Sequence, residues 1–321
     1  MKKQEIYSKD EIKQKELLIL ISVFFFLLFA YMSGEFFWMK DFQLVVDLFS
    51  GIFAFFIGTL ALLRFYTKKN FTNYLLLGLG FLTVGVIDIL QILLSLNAFS
   101  DFFSVSTSEV FPSTVVLSRF FLSLIFFLSW LLMKEEYRAR VFKEKLAFVG
   151  VLFSISAFIA IITIFSNIFE GLESYTFAIV LQTVSLMIYL LTLVGYTRSR
   201  GMYYRNFDFW IIFSLTFSIL SQIFYLPYLN LEYELMMNLS ILAKLISYVV
   251  LLVGFLHSIY EMYKSEEKAQ LDLKRKNKLL TLTKQKVEEA YMVLREEKWK
   301  LTKVNKKKKT DKIFKDILKN K

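Results

Sequence analysis

The chain has 321 residues, of which 56% are hydrophobic, and it contains 36 Phe but only two Pro and 11 Gly. Its formal net charge is +11, and it has no Cys and a single His, His257. This composition excludes an ordinary soluble domain, a disulfide framework, a thiolate metal site, a cysteine nucleophile and a paired-histidine haem site.

Eight runs of about 20 apolar residues follow one another along the chain. A bilayer requires such runs, because a helix satisfies its backbone hydrogen bonds within one segment. The first run is too long for a removable signal peptide and lacks a small-residue cleavage site after Tyr31, so we interpret it as an anchor. The predicted fold is all-α, a polytopic membrane bundle of about eight transmembrane helices, at residues 17–38, 43–63, 71–97, 113–133, 146–166, 174–196, 207–228 and 237–262.

The segments between the predicted spans alternate in charge. The N-terminal segment and every second connection after it hold 16 Lys or Arg in total, whereas the opposite connections hold only Lys40 among acidic residues. Short basic loops stay in the cytoplasm. We therefore expect a multi-pass protein of the inner or plasma membrane, with both termini in the cytoplasm.

Four charged residues lie inside predicted spans and away from the span ends, where each costs a few kcal/mol unless it is paired or hydrated. They are Asp47, Asp88, Arg119 and Lys244. At about 1.5 Å per helical residue, all four fall in the outer half of the bilayer. Two acids and two bases at one depth predict a neutral, buried cluster of paired charges that faces the outside.

Helical spacing extends each charged position into a polar or small-residue face. Small residues allow close helix approach and polar ones hydrogen bond across an interface, so these faces are predicted helix contacts. The faces are Gln43, Asp47, Ser50, Ala54 and Gly58; Gly78, Gly85, Asp88, Gln91 and Ser95; and Ser240, Lys244, Ser247, Gly254 and Ser258.

Three interpretations of the charged cluster stay open: a pocket for a small molecule or ion, a structural staple without a ligand, and a proton or ion relay. No catalytic residue, metal ligand or cofactor is predicted, since no nucleophile–base pair or metal motif can be assembled. The candidate ligand-binding residues are Gln43, Asp47, Asp88, Gln91, Arg119 and Lys244.

The same positions resemble the third class of membrane-associated sensor (MASE) domains, which are multi-span input modules of bacterial and archaeal signalling proteins. The resemblance rests on residues 42–50, 73–76, 85–91, 117–120 and 244–248. Compared with the family, this chain has Gln43 and Gln91 in place of His and Asp47 in place of Glu, and a further His before Lys244 is absent. The resemblance implies a shared architecture, with any ligand held by hydrogen bonds and charge rather than by imidazole.

The C-terminal segment carries the whole excess of positive charge, since residues 264–321 contain 20 Lys or Arg and 9 Asp or Glu. Leu273, Leu280, Val287, Leu294 and Leu301 repeat every seven residues, which predicts a weak dimeric coiled coil, although a solvated amphipathic helix is the alternative. A basic segment beside the inner leaflet is attracted to anionic lipid, and nucleic-acid binding is not expected. We predict a cytoplasmic segment at 1–16, the sensor domain at 17–262, the signalling helix at 263–304 and a basic tail at 305–321.

Residues 263–321 contain no phosphoacceptor box, nucleotide loop or cyclase signature. The favoured hypothesis is therefore a non-enzymatic sensory input module and a homodimer through the tail helix. It either acts on a separate cytoplasmic effector or is a sensor fragment parted from its effector. The alternatives are an ion or small-solute transporter or channel, and a membrane scaffold whose basic tail recruits a partner.

Overall fold

The computed structural model describes residues 9–32, 42–67, 72–95, 107–135, 174–198, 206–231 and 234–319, and all of these residues are helical. The all-α prediction is confirmed for them. The fifth predicted span, 146–166, lies outside the described residues, so the count of eight spans stays a prediction. The described helices are α1 Lys9–Met32, α2 Phe42–Thr67, α3 Thr72–Ser95, α4 Thr107–Glu135, α5 Ser174–Arg198, α6 Asn206–Leu231 and α7 Glu234–Lys319.

Within the described part of the chain, six helices are long and apolar enough to cross a membrane: α1, α2, α3, α5, α6 and α7. Helix α4 adds the apolar stretch Val115–Leu131. The exposure of the side chains agrees with membrane-spanning helices. Large apolar residues such as Leu20 and Phe25 are 66% and 63% exposed, while many polar residues are buried. Lipid is the solvent that suits such a surface, and the chain is a multi-pass membrane protein.

Residues Met1–Ile259 form one compact unit. In it, α2 packs on α3, α3 on α4, α4 on α5 and α5 on α6, so these helices follow one another in space as they do along the chain, whereas α1 contacts α6. Their shared core is aromatic and aliphatic at its centre, where Phe81 contacts both Phe126 and Tyr248 edge-on, with ring centroids 5.7 and 5.5 Å apart. Tyr248 of this core also lies beside Lys244, one of the polar residues described below.

Helices α2 and α3 approach closely because glycines face one another. A Cβ atom added at Gly58 would lie 2.9 Å from the carbonyl oxygen of Gly78, and one added at Gly85 would lie 3.3 Å from that of Gly51. Gly58, Gly78 and Gly85 of the predicted small-residue faces therefore lie at one interface, together with Gly51, which was not among the predicted residues.

An aromatic cluster joins four helices near the C-terminal end of α2 and the N-terminal end of α6. It consists of Arg64, Tyr74, Phe207 and Phe255. The Arg64 guanidinium carbon lies 4.3 Å from the Tyr74 ring centre and 4.8 Å from that of Phe207. Phe207 packs on Phe255 of α7 with centroids 4.5 Å apart. This aromatic cluster holds α7 beside α2, α3 and α6.

Residues Tyr260–Lys321 form a second unit, which contains the remainder of α7. Its described side chains, at residues 260–305, are almost all exposed, and those of the predicted heptad row are 63–72% exposed. Local ion pairs such as Lys300 with Glu296, at 3.0 Å, lie along its surface. The coiled coil itself stays a prediction, because only one copy of the helix is present.

Candidate functional site

An ion pair between α3 and α7 lies at the centre of the candidate site. The Nζ of Lys244 donates to Oδ2 of Asp88 at 2.8 Å, and the two side chains are 10% and 1% exposed. Four residues after Lys244 on the same helix face, Tyr248 places its ring 5.7 Å from the ammonium group. The predicted meeting of these two opposite charges from distant spans is thus present in the structure.

The second oxygen of Asp88 is also occupied. The hydroxyl of Ser118 on α4 donates to Oδ1 at 3.0 Å. One buried carboxylate therefore joins three helices, α3, α4 and α7, and each of its oxygens has a hydrogen-bond donor. Such an arrangement offsets much of the free energy that burying the charge costs.

Arg119, the residue after Ser118, lies beside this pair but in a different set of contacts. It is 3% exposed, its Nη1 donates to the backbone oxygen of Ser221 on α6 at 3.4 Å, and its guanidinium carbon lies 4.2 Å from the Tyr225 ring centre. The cluster therefore divides into an Asp88–Lys244 part and an Arg119 part.

The remaining predicted residues lie on the expected helices. Asp47 of α2 and Gln91 of α3 are buried, at 8% and 5% exposure. Gln43 is in the first turn of α2, and its side chain lies outside the described residues. Five of the six candidate side chains are therefore seen to be buried within the bundle, although their role as a ligand site stays a prediction.

Sequence reasoning missed a pair of buried amides next to Arg119. Gln182 of α5 donates through Nε2 to Oε1 of Gln222 on α6, and both side chains are almost completely buried. Gln222 follows Ser221, whose carbonyl accepts from Arg119, and Ser185, one turn after Gln182, donates to the backbone oxygen of Arg119 at 3.4 Å. An uncharged polar residue in each of two apolar spans was the available signal.

Serine residues connect α6 to α7 on both sides of Lys244. The hydroxyls of Ser221 and Ser240 each donate to the other's backbone oxygen at 2.8 Å. One turn past Lys244, Ser247 contacts the hydroxyls of Ser214 and Ser218 at 2.9 and 2.7 Å. The predicted face of the eighth span is therefore an interface with α6, and it fixes the helix that carries the lysine.

The chemistry available at this site is hydrogen bonding and charge. Among the described residues, no group of three or more His, Asp or Glu side chains is arranged to hold a metal ion. The paired carboxylate and ammonium, a guanidinium and several amides and hydroxyls are suited to binding a polar group inside an apolar bundle.

A family model described as a membrane-associated sensor domain, MASE3, matches residues 39–260, which include every candidate site residue and all the segments on which the resemblance rested. The resemblance is thereby confirmed. No curated protein and no solved structure matches the chain significantly.

Proposed function

The chain belongs to the MASE3 family of membrane-associated sensor domains, and from that premise we propose that a stimulus or small ligand acts at the charged cluster. The resulting change in helix packing is relayed by α7 to a cytoplasmic effector. The family is a sensor family and not a catalytic one, which agrees with a role as an input module without enzymatic activity.

The observation that carries this proposal is the Asp88–Lys244 ion pair. A buried pair is stable only while its geometry is good, because each charge left alone in an apolar interior costs several kcal/mol. A ligand that takes over one partner, or a change in hydration, therefore biases the position of α7 relative to α3. A binding event that favours one of two packings in this way is sufficient to shift their populations.

Helix α7 offers a route from this pair to the tail. Phe255 lies 11 residues beyond Lys244, about 16 Å along the helix axis, and belongs to the aromatic cluster with Arg64, Tyr74 and Phe207. Lys244 and Phe255 thus attach α7 to the bundle at two separate levels. We expect a shift at the first level to alter packing at the second.

The remainder of the proposal concerns the tail and the topology. Both termini lie in the cytoplasm, the heptad row of residues 273–301 pairs two copies of the chain, and the basic residues 305–321 contact anionic lipid or the effector. The supporting observations are the charge alternation of the loops and the exposed leucines of the tail.

A chimera tests the proposal. A cyclase catalytic domain fused after Val304 would report on the state of the tail through cyclic nucleotide production in cells. We expect Asp88→Ala and Lys244→Ala each to move the basal output away from that of the parent chimera by several-fold, since each removes half of the buried pair.

Thr83→Val provides the matched control, because Thr83 is a buried polar residue of α3 whose hydroxyl donates to the backbone oxygen of Leu79 in the same helix, at 2.9 Å. Membrane levels of all variants must be equal. If the Asp88 and Lys244 variants give the parent's output, the cluster has no signalling role. Liposome ion flux that depends on Asp88 would instead favour a transporter, and partner capture that depends only on residues 265–321 would favour a scaffold.

A further inference from the structure

The buried guanidinium of Arg119 donates a hydrogen bond from one of its nitrogens, while the other two nitrogens have no partner among the described residues. Nη1 donates to the backbone of Ser221, and the ring of Tyr225 covers one face. Nε and Nη2 have no hydrogen-bond partner among the described residues, although the side chain is only 3% exposed. Two unsatisfied donors of one buried cation are unusual, because leaving buried donors unpaired costs free energy.

These two nitrogens form one binding edge. The N–H bond of Nε and the N–H bond of Nη2 on the same side run parallel within the plane of the guanidinium. This geometry allows both bonds to donate to oxygen acceptors. The unused part of Arg119 is therefore a complete two-donor fork.

A second buried polar atom without a partner lies on the neighbouring helices. Oε1 of Gln182 accepts no hydrogen bond within the described part of the chain, while the amide nitrogen of that side chain is bonded to Gln222. The backbone contacts of Ser185 and Ser221 place this amide pair next to Arg119. Donors and an acceptor are thus left open in one region between α4, α5 and α6.

The charge of the cluster decides what kind of acceptor fits. Asp47 and Asp88 balance Arg119 and Lys244, so the four buried charges sum to zero. A carboxylate or phosphate would add an uncompensated negative charge to an apolar interior, whereas a carbonyl oxygen would satisfy the same donors without adding charge. The Tyr225 ring that packs on Arg119 belongs to an apolar cluster with Val115, Val116 and Ala178, so a lipophilic molecule suits these surroundings.

We infer that the Nε and Nη2 edge of Arg119 binds the oxygen acceptor of a neutral, lipophilic carbonyl compound, such as a ketone, quinone or ester. One part of this inference rests on the proposed sensory function, namely that the bound compound is the stimulus. Arg119 then recognises the compound, and the Asp88–Lys244 ion pair responds to its binding.

Carbonyl-¹³C-labelled 2-undecanone is a suitable probe, with the full chain in lipid nanodiscs. We expect a protein-bound carbonyl resonance, shifted from that of the lipid-dissolved ketone, and a saturable shift of the Arg119 side-chain Nε–H signal in ¹⁵N-arginine-labelled protein. Undecane, which has no acceptor, should leave that signal in place. Because a charged hydrogen bond contributes substantially to binding, R119K should bind the ketone at least about 10-fold more weakly.

R64K is the matched control, since Arg64 is a second arginine within a span that lies against the aromatic cluster and not among the candidate site residues. It should bind the ketone with unchanged affinity. The wild-type Nε–H signal gives an answer even if R119K does not fold. Equal affinity of wild type and R119K, a shift produced equally by undecane, or tighter binding of undecanoate through Arg119 would each overturn the inference. If the ketone fails while Asp88→Ala still changes the chimera's output, only this inference falls and the sensory proposal stands.

Discussion

At the scale of single residues, Asp88 matters because the two hydrogen bonds that it accepts within the described part of the chain both come from other helices. Lys244 donates to one oxygen and Ser118 to the other, at 2.8 and 3.0 Å. A carboxylate with 1% exposure has no access to water that could replace either donor. Its neighbours therefore determine whether it can remain charged in place.

Lys244→Met is expected to destabilise the protein by about 3 to 5 kcal/mol, the range observed when one partner of a buried ion pair is removed. The methionine fills similar space, so the loss reflects the uncompensated carboxylate. Adding Asp88→Asn to this variant should recover part of the lost stability, because the isolated charge is then gone. Reversible unfolding in mixed micelles measures both.

Lys268→Met serves as the control for removal of a lysine, since Lys268 is an exposed residue of the tail, and it should leave the unfolding free energy unchanged. Equal stability of Lys244→Met and the parent would mean that the pair contributes nothing to holding α3 against α7.

The same residues show what a sequence can reveal about a site. Asp47, Asp88, Arg119 and Lys244 were recognisable because a charge inside an apolar span is expensive and rare. The division of the cluster, with Lys244 on Asp88 and Arg119 on Ser221 and Tyr225, could not be predicted, since it depends on how the helices rotate. Gln182 and Gln222 escaped notice because an uncharged amide in a span is a much weaker signal.

At the scale of helix pairs, the α2 and α3 interface depends on the absence of side chains. A Cβ at Gly58 would lie 2.7 Å from Cγ of Leu82 and 2.9 Å from the carbonyl oxygen of Gly78, which is backbone and cannot move away easily. We expect Gly58→Ala to destabilise the bundle by about 1 to 3 kcal/mol through overpacking.

Gly51→Ala is the matched comparison on the same helix. The nearest atom to its added Cβ would be Cγ1 of Ile89 at 3.2 Å, a side-chain atom that can adjust. We therefore expect an effect below about 1 kcal/mol, partly offset by the better helix propensity of alanine. Thermal unfolding in nanodiscs ranks the two variants, and equal destabilisation would show that the close backbone approach at Gly58 is not limiting.

The interface between α6 and α7 allows a different test. Ser221 and Ser240 hydrogen bond to each other reciprocally, and a double-mutant cycle can measure the coupling energy between them. Hydrogen bonds between membrane helices contribute about 0.6 kcal/mol on average and up to about 1.7 kcal/mol. We expect Ser221→Ala and Ser240→Ala each to cost an amount in that range and the cycle to give a nonzero coupling energy. Ser123→Ala, which removes a bond to Phe120 within α4, should show no coupling to either.

Hydropathy predicts where the helices lie along the chain, but it does not predict which helices pack against one another. Seven of the eight predicted spans overlap a described helix, because runs of about 20 apolar residues leave the backbone few alternatives in lipid. The contacts of α1 with α6 and of α7 with α3 join segments far apart along the chain. Nothing in the periodicity of either segment specifies its partner.

At the scale of the whole molecule, the tail carries a row of apolar residues that the single chain leaves uncovered. Leu273, Leu280, Val287, Leu294 and Leu301 are all at least 63% exposed. Their seven-residue spacing gives one continuous seam, and pairing two such seams removes apolar surface from water. The accompanying heptad position is apolar at Ala269, Ala290 and Val304 but is occupied by Lys276, Thr283 and Glu297 in between. The pairing should therefore be weak and adjustable.

Because the protein contains no cysteine, a single introduced one reports on this pairing without background. We expect Val287→Cys in the full chain to form a disulfide-linked dimer under mild oxidation, since equivalent seam residues of a parallel coiled coil lie within bonding distance. Adding Leu280→Asp, which places a charge in the seam, should reduce that dimer several-fold on a non-reducing gel. Leu271→Cys, on the opposite face of the helix and 51% exposed, should crosslink poorly. Equal crosslinking at both positions would indicate random collision, and the tail would then be an unpaired solvated helix rather than the dimeric relay proposed for the receptor.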